Sequence, residues 1–304
     1  MATIHYLALA LTPGIGAKTA RRLIEQFGSV EDIFLASTDE LTSVPRVTPA
    51  IALELLASPL DQYEQELLTL DDAGLRAITL EDDSYPANLR LAADSPILLF
   101  SRGSVHEADS QAAAIVGSRE ASPAGSELAR DLAERLAGHG LTIVSGLALG
   151  IDAAAHRGAL NAQGRTLAVL GSGINVVHPR ENADLAEEIV GRGALLSELH
   201  PNAPPSGPTL MARDRIVSGL ARAVIVVEAR AKGGSLDTAA KAFKQGRLVY
   251  AVPGSEGTEK LLQEGARRLD PAGDLEPLVQ AILGHALGGD TSGSDVAAAQ
   301  PRLL

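Results

Sequence analysis

Gly and Ser follow the ends of several apolar runs along this chain. The segments are Gly117-Ser118-Arg119, Ser145-Gly146, Gly171-Ser172-Gly173, Ala231-Lys232-Gly233-Gly234-Ser235 and Pro253-Gly254-Ser255. Glycine lets a ligand approach the backbone closely, serine supplies a small donor, and N–H groups at a helix start carry partial positive charge. A rim built this way suits phosphate. Ser122-Pro123 reads as an N-cap followed by proline at the first helical position, which leaves Arg119 in the loop before the helix. There it could fork onto a phosphate, or pair with Glu120 or Asp152. Further cations are Arg180, two residues after His178 and two before Asn182, and Arg213 and Arg215 around Asp214. With Arg119 and Lys232 they would line one rim, and such a row fits a polynucleotide backbone better than one small nucleotide.

Other chemistries have weaker support. VGSREASPAG and GSGINV depart from the dinucleotide fingerprint, and GGSLDTA lacks the Gly-Lys-Ser/Thr of a phosphate-binding P-loop. There is no G-x-S-x-G elbow and no H-E-x-x-H. Asp152 and His156 stand four apart on a predicted helix, so they share a face. They could be an acid/base or metal pair, but a structural contact is the favoured reading. The chain has no cysteine, which excludes disulfides and thiolate sites and fits a cytoplasmic protein. No apolar run is long enough to span a bilayer, and the apolar start lacks the basic flank of a signal peptide. Aromatic residues make up 3% and tryptophan is absent, so base stacking on aromatic rings is a minor resource.

The elements that must position this rim come from the pattern between 112 and 267. Apolar strand candidates cover 112–118, 142–146, 166–172, 194–199, 223–229 and 248–255, with amphipathic helices near 123–138, 152–162, 181–191, 209–221, 235–245 and 257–267. The alternation predicts an α/β fold, a parallel sheet with helices on both faces, whose ligands sit beyond the carboxyl ends of the strands. Residues 75–110 add short strands, LRAITL and ILLFSRG, around an acidic turn. The first 70 residues read as short helices at 18–27, 30–36 and 49–57, the first preceded by a Pro-Gly-Ile-Gly turn of helix-hairpin-helix shape. That turn could offer N–H groups to phosphate. A helical packing module is favoured, because residues 1–80 carry 5 basic and 11 acidic residues. The domain expectation is therefore a helical unit over 1–70, a Rossmann-like domain over 71–283, and a disordered tail over 284–304. Overall the net charge is −12, yet residues 114–247 hold 15 basic and 13 acidic residues, the one segment with a positive balance.

The ordered motifs AIVGSREAS, TIVSGLALGIDAAAHRGAL, GRTLAVLGSGINVVHPREN, GALLSEL, RDRIVSGLARAVIVVEA, GGSLDTAAKAFKQGR and VYAVPGS resemble the DprA/Smf family of DNA-processing proteins. The resemblance implies an extended Rossmann-like fold behind a sterile-alpha-motif-like helical domain. It implies binding of single-stranded DNA, homodimerisation and loading of RecA onto DNA taken up in natural transformation, with no catalytic chemistry and no cofactor. The implied DNA-binding residues are Gly117, Ser118, Arg119, Ser145, Gly146, Gly171, Ser172, Gly173, His178, Arg180, Asn182, Arg213, Arg215, Lys232, Gly233 and Ser235. Three positions depart from the family pattern: His178 replaces an aromatic residue, Asp214 an asparagine and Asp237 an apolar residue. The tail is too short for the winged-helix domain of many relatives. The competing expectation is a nucleoside-monophosphate-hydrolysing or nucleotide-sensing protein of the lysine-decarboxylase-like Rossmann group. There a Gly-Gly-x-Gly-Thr loop occupies the place of Gly233-Gly234-Ser235, with an Arg and a Glu nearby.

Overall fold

A computed structural model describes residues 2–287. Most of the tail expected to be disordered, from 288 on, lies outside the described residues. Six helices lead: α1 (Ala2–Leu11), α2 (Ala17–Phe27), α3 (Val30–Leu35), α4 (Thr38–Thr42), α5 (Pro49–Leu56) and α6 (Leu60–Asp72). Then follow β1 (Leu75–Thr79), α7 (Ala87–Arg90), β2 (Leu98–Gly103), β3 (Ala112–Val116), α8 (Pro123–Gly138), β4 (Thr142–Ser145) and α9 (Ile151–Asn161). The chain continues through β5 (Thr166–Val169), α10 (Ala183–Arg192), β6 (Ala194–Ser197), α11 (Gly207–Leu220) and β7 (Ala223–Val226). It ends with α12 (Gly234–Lys244), β8 (Leu248–Ala251), α13 (Glu256–Gln263), β9 (Arg267–Arg268) and α14 (Glu276–Gly284).

The six predicted central strands all form, and each stops at or within two residues before its Gly, Pro, Ser or acidic residues, so each is shorter than its predicted span. They are buried along nearly their whole length, as parallel strands covered on both faces must be. The nine strands run in the order β1-β2-β6-β5-β4-β3-β7-β8-β9. β3 through β9 are parallel to their neighbours, whereas β2 pairs antiparallel with both β1 and β6. The sheet is thus mixed rather than wholly parallel. The chain winds outward from β3 to β6 on one side, then returns to place β7 on the other side of β3. The gap between β3 and β7 is therefore the switch point where a crevice opens above the strand ends.

The helical segment is larger than the sequence pattern predicts, since α1, α4 and α6 are added to the three expected helices. α1 is apolar on nearly every side, so it shows little helical periodicity, and its buried Tyr6, Leu7, Ala8 and Leu9 explain why. Tyr6, Leu7 and Leu9 share one apolar cluster with Phe100 of β2, Ala168 of β5 and Leu195 of β6, so the N-terminal helices are packed against the sheet. On the opposite wing, α8 and α9 meet at Gly158, where any Cβ would collide with the Arg130 carbonyl. Among the described residues no helix is long and apolar enough to cross a membrane.

Candidate nucleic-acid interface

A cleft of about 930 Å³ lies at the β3/β7 switch point. Its walls come from the loop after β3 (Gly117, Ser118, Arg119), the loop after β4 (Gly146), the first turns of α11, and the segment from Arg230 to Ser235. The Ser118 N–H donates to the Glu228 carbonyl at 2.7 Å and fixes the β3 loop to the β7 loop. Close approach explains Gly117: a Cβ there would fall 2.5 Å from Ile151 and 2.7 Å from the Glu228 carbonyl. The structure thus gathers Gly117, Ser118, Arg119, Gly146, Arg213, Lys232, Gly233 and Ser235 around one cavity.

The cations divide into two kinds. Arg119 and Lys232 are exposed, and among the described residues neither has an ion pair or side-chain hydrogen bond. The carboxylates that could have claimed Arg119 are engaged elsewhere: Glu120 pairs with Arg230, and Asp152 accepts from the N–H groups of Gly146 (3.1 Å) and Ala148 (3.4 Å). Arg213 is different. Its side chain is 6% exposed, its guanidinium donates to the carbonyls of Gly146 and Val169, and its Nε lies 3.3 Å from Asp214. It fastens the ends of β4 and β5 together and reaches the cavity only as part of its floor.

Arg215 is not among the residues lining the cavity. It lies on the other side of α11, donates to both Glu198 oxygens at 2.8 and 2.5 Å, and donates to the Asp94 carbonyl at 2.9 Å. A guanidinium held this way has no donors left in position for a phosphate. Five more expected residues also serve packing. Ser145 is buried and donates to the Ile115 carbonyl, and Ser172 donates to the Val176 carbonyl. Gly171 faces Leu210, while Gly173 faces the carbonyls of His200 and Pro201. Asn182 is buried and donates to the Leu147 and Ala148 carbonyls, which ties the loop after β5 to the loop after β4. His178 and Arg180 are exposed on that β5 loop, outside the cavity lining.

The helix start that follows Arg119 is occupied. The N-terminus of α8 already holds an anion, since Glu228 accepts from the Ser122 hydroxyl at 2.6 Å and the Ser122 N–H at 3.1 Å. A lone carboxylate closing an apolar strand needs such donors, and that was the available signal in the sequence. The open helix start is instead that of α12. Its N-cap, Gly233, has no side chain, and the N–H groups of Gly234 and Ser235 have no acceptor among the described residues. The Ser235 hydroxyl is likewise without a partner although the residue is 7% exposed.

Asp152 and His156 do not pair. His156 Nδ1 meets the Thr166 hydroxyl at 2.7 Å, and that hydroxyl donates to the Ile143 carbonyl at 2.8 Å. Nδ1 must then carry the hydrogen, which leaves Nε2 buried without a partner. Burial, helped by the charges of Arg213 and Arg157, lowers His156 to about 3. Burial raises Asp214 to about 6, although Arg213 and Lys241 oppose it. These shifts act in opposite directions on stability. His156 stabilises the fold fully above its ordinary value of 6.5, and that contribution falls as pH drops towards 3. Asp214 stabilises it below 3.8, and that contribution is lost as pH rises through 6. Between pH 4 and 6 the Asp214 contribution has a slope of up to about 1.4 kcal/mol per pH unit. In urea unfolding the Asp214→Asn protein should therefore gain stability relative to wild type as pH rises through that window. Parallel profiles for the two proteins would contradict the raised Asp214 carboxyl.

The sequence profile of the DNA recombination-mediator protein A family matches residues 76–279, and that of a SAM-like helix-hairpin-helix tandem matches residues 7–58. The chain belongs to the DNA recombination-mediator protein A family. Protein Smf of Escherichia coli is 41% identical over 222 residues, covering 71% of this chain and 59% of Smf, so the chain matches little more than half of that relative's length. The X-ray structure of DNA processing protein A from Streptococcus pneumoniae superposes with a TM-score of 0.77 at 31% identity, covering 88% of this chain and 94% of that one. DNA processing protein A from Helicobacter pylori, solved for its single-stranded DNA binding mode, gives a TM-score of 0.61 at 30% identity, covering 68% and 95%. The expected extended Rossmann-like fold with a helical N-terminal unit is thus the family's own.

Proposed function

We propose that this member of the recombination-mediator family is a DNA-processing protein of natural transformation and recombination. It binds single-stranded DNA at the strand-end cleft, acts in the cytoplasm as a homodimer, and hands the bound strand to RecA without catalytic chemistry of its own. One observation carries the DNA-binding part. At the β3/β7 switch point two solvent-facing cations, Arg119 and Lys232, lack partners beside the uncapped start of α12. Unspent positive charge and free N–H groups in one cleft are what a phosphate backbone requires. Exposed His178 and Arg180 extend the same strand-end edge past the cleft, which gives a strand more than one foothold. Binding through the backbone makes dimer avidity useful, since two linked grooves hold one strand more tightly than either alone. The hydrolase alternative needs an arginine and a glutamate free beside the Gly233–Ser235 loop, but Arg230 and Glu120 there are spent on each other.

The test is binding of a labelled single strand and the matching duplex across a salt series. The single strand should bind at least about tenfold more tightly, with log affinity falling against log salt by about 0.7 per phosphate contacted. Equal affinity for the two forms, or no salt dependence, would overturn the reading. Release of free base from nucleoside monophosphates would favour the hydrolase.

A further inference from the structure

The cleft is divided by charge. Its lip is cationic, carrying Arg119, Lys232 and the open N–H groups of α12. Its inner part, between α11 and α12, is lined by Leu210, Met211, Asp214, Leu236 and Asp237. Asp214 and Asp237, paired with Arg213 and Lys241, leave this part near neutral and the lip as the cationic part, so the phosphate is held at the lip and the uncharged base is the portion of a nucleotide that enters. Each carboxylate keeps one oxygen in reserve. Asp214 uses Oδ1 towards Arg213 at 3.3 Å, and Asp237 uses Oδ2 towards Lys241 at 2.5 Å; the second oxygen of each has no partner among the described residues. Beside them Ser235, a residue 7% exposed whose hydroxyl has no partner among the described residues, lines the same cavity. Leu210, Leu236 and the exposed Met211 offer apolar surface to the faces of a ring, a soft substitute for an aromatic platform.

Resting on the DNA-binding reading above, we propose that one base of the bound strand inserts between α11 and α12, where Asp214 and Asp237 select bases that present N–H donors. The order follows from base chemistry. Guanine offers N1–H and an amino group side by side, two donors for the two free oxygens, one on Asp214 and one on Asp237. Cytosine and adenine offer one amino group next to a ring acceptor. Thymine offers a single N–H between two carbonyls, which face the carboxylates with like partial charge. The cleft therefore favours guanine and disfavours thymine. Burial lifts the Asp214 carboxyl only to about 6, so it remains an acceptor at pH 7.5.

The experiment compares two labelled oligonucleotides of about 15 nucleotides, one all dT and one with dG at every third position to avoid stacked guanine quartets. The wild-type protein should bind the dG-containing strand about tenfold more tightly, a typical discrimination for one good base contact. Asp214→Asn/Asp237→Leu should bring the two affinities within about twofold, chiefly by tightening the dT strand. Asp237→Leu alone, at the more exposed position, should already reduce the preference at least about twofold and keeps the test open if the double variant is unstable. Equal affinities in the wild type, or an unchanged preference in the variants, would overturn base selection while leaving strand binding intact. Failure to bind either strand would overturn both.

Discussion

An Arg213→Met protein should lose about 3–5 kcal/mol of stability, the usual cost of stranding a buried ionic partner. Arg213 sits at the junction of three elements. It donates to the last carbonyl of β5, Val169, and to the first carbonyl beyond β4, Gly146, and its charge lies beside Asp214 and Asp152. Methionine fills most of the volume but satisfies none of these groups. Two carbonyls and two buried carboxylates then need either water or a proton. For a domain whose total stability is about 5–15 kcal/mol, the loss is a large share. The check is urea unfolding at neutral pH, with Arg213→Lys as a companion that keeps the charge and loses the fork. A deficit under about 1 kcal/mol for the methionine variant would contradict the role assigned to this side chain. The same residue on a sequence-only argument is a DNA contact, so the experiment separates a structural arginine from a ligand-binding one.

Removing Arg119 and Lys232 together should weaken single-strand binding about 30-fold or more, while the melting temperature stays within a few degrees. Each charge-assisted contact is worth about 1–3 kcal/mol, and two that touch different phosphates combine nearly additively. Both side chains are exposed and unpartnered, so alanine strands nothing in the folded state. The salt slope should fall by about 1.4, or 0.7 for each phosphate no longer neutralised. Arg215→Ala is the control with the reverse signature. It breaks the Glu198 pair and should cost stability, but the affinity of the folded protein should not change. An Arg119→Ala/Lys232→Ala protein that keeps wild-type affinity and slope would remove the cleft from consideration as the phosphate site.

The contrast between these arginines shows where sequence reading stopped. Arg119, Arg213 and Arg215 are equally visible as cations near strand ends, and spacing alone leaves each free to face the ligand. Arg119 is left free because both nearby carboxylates found other donors, one of them Arg230, more than 100 residues away. Arg215 is lost to the interface because Glu198, at the end of β6, comes within 2.5 Å of it across the fold. A similar long-range partner decides the helix termini: several helix starts follow Gly/Ser loops, but Glu228 of the β7 end occupies that of α8. Asp152 and His156 share a helix face as predicted, yet Thr166 and two backbone N–H groups draw them apart.

By itself the sequence determined the strand–helix alternation, the burial of the central strands and the Gly/Ser composition of their ends. All of these depend on period, apolar content and local turn chemistry, which act within a few residues. Tertiary structure decided the antiparallel placement of β2, the docking of α1 on the sheet and the choice of α12 as the open helix start. It also decided which cations remained unpaired, because a charge takes its partner from whatever the fold brings within about 4 Å, however distant in the chain.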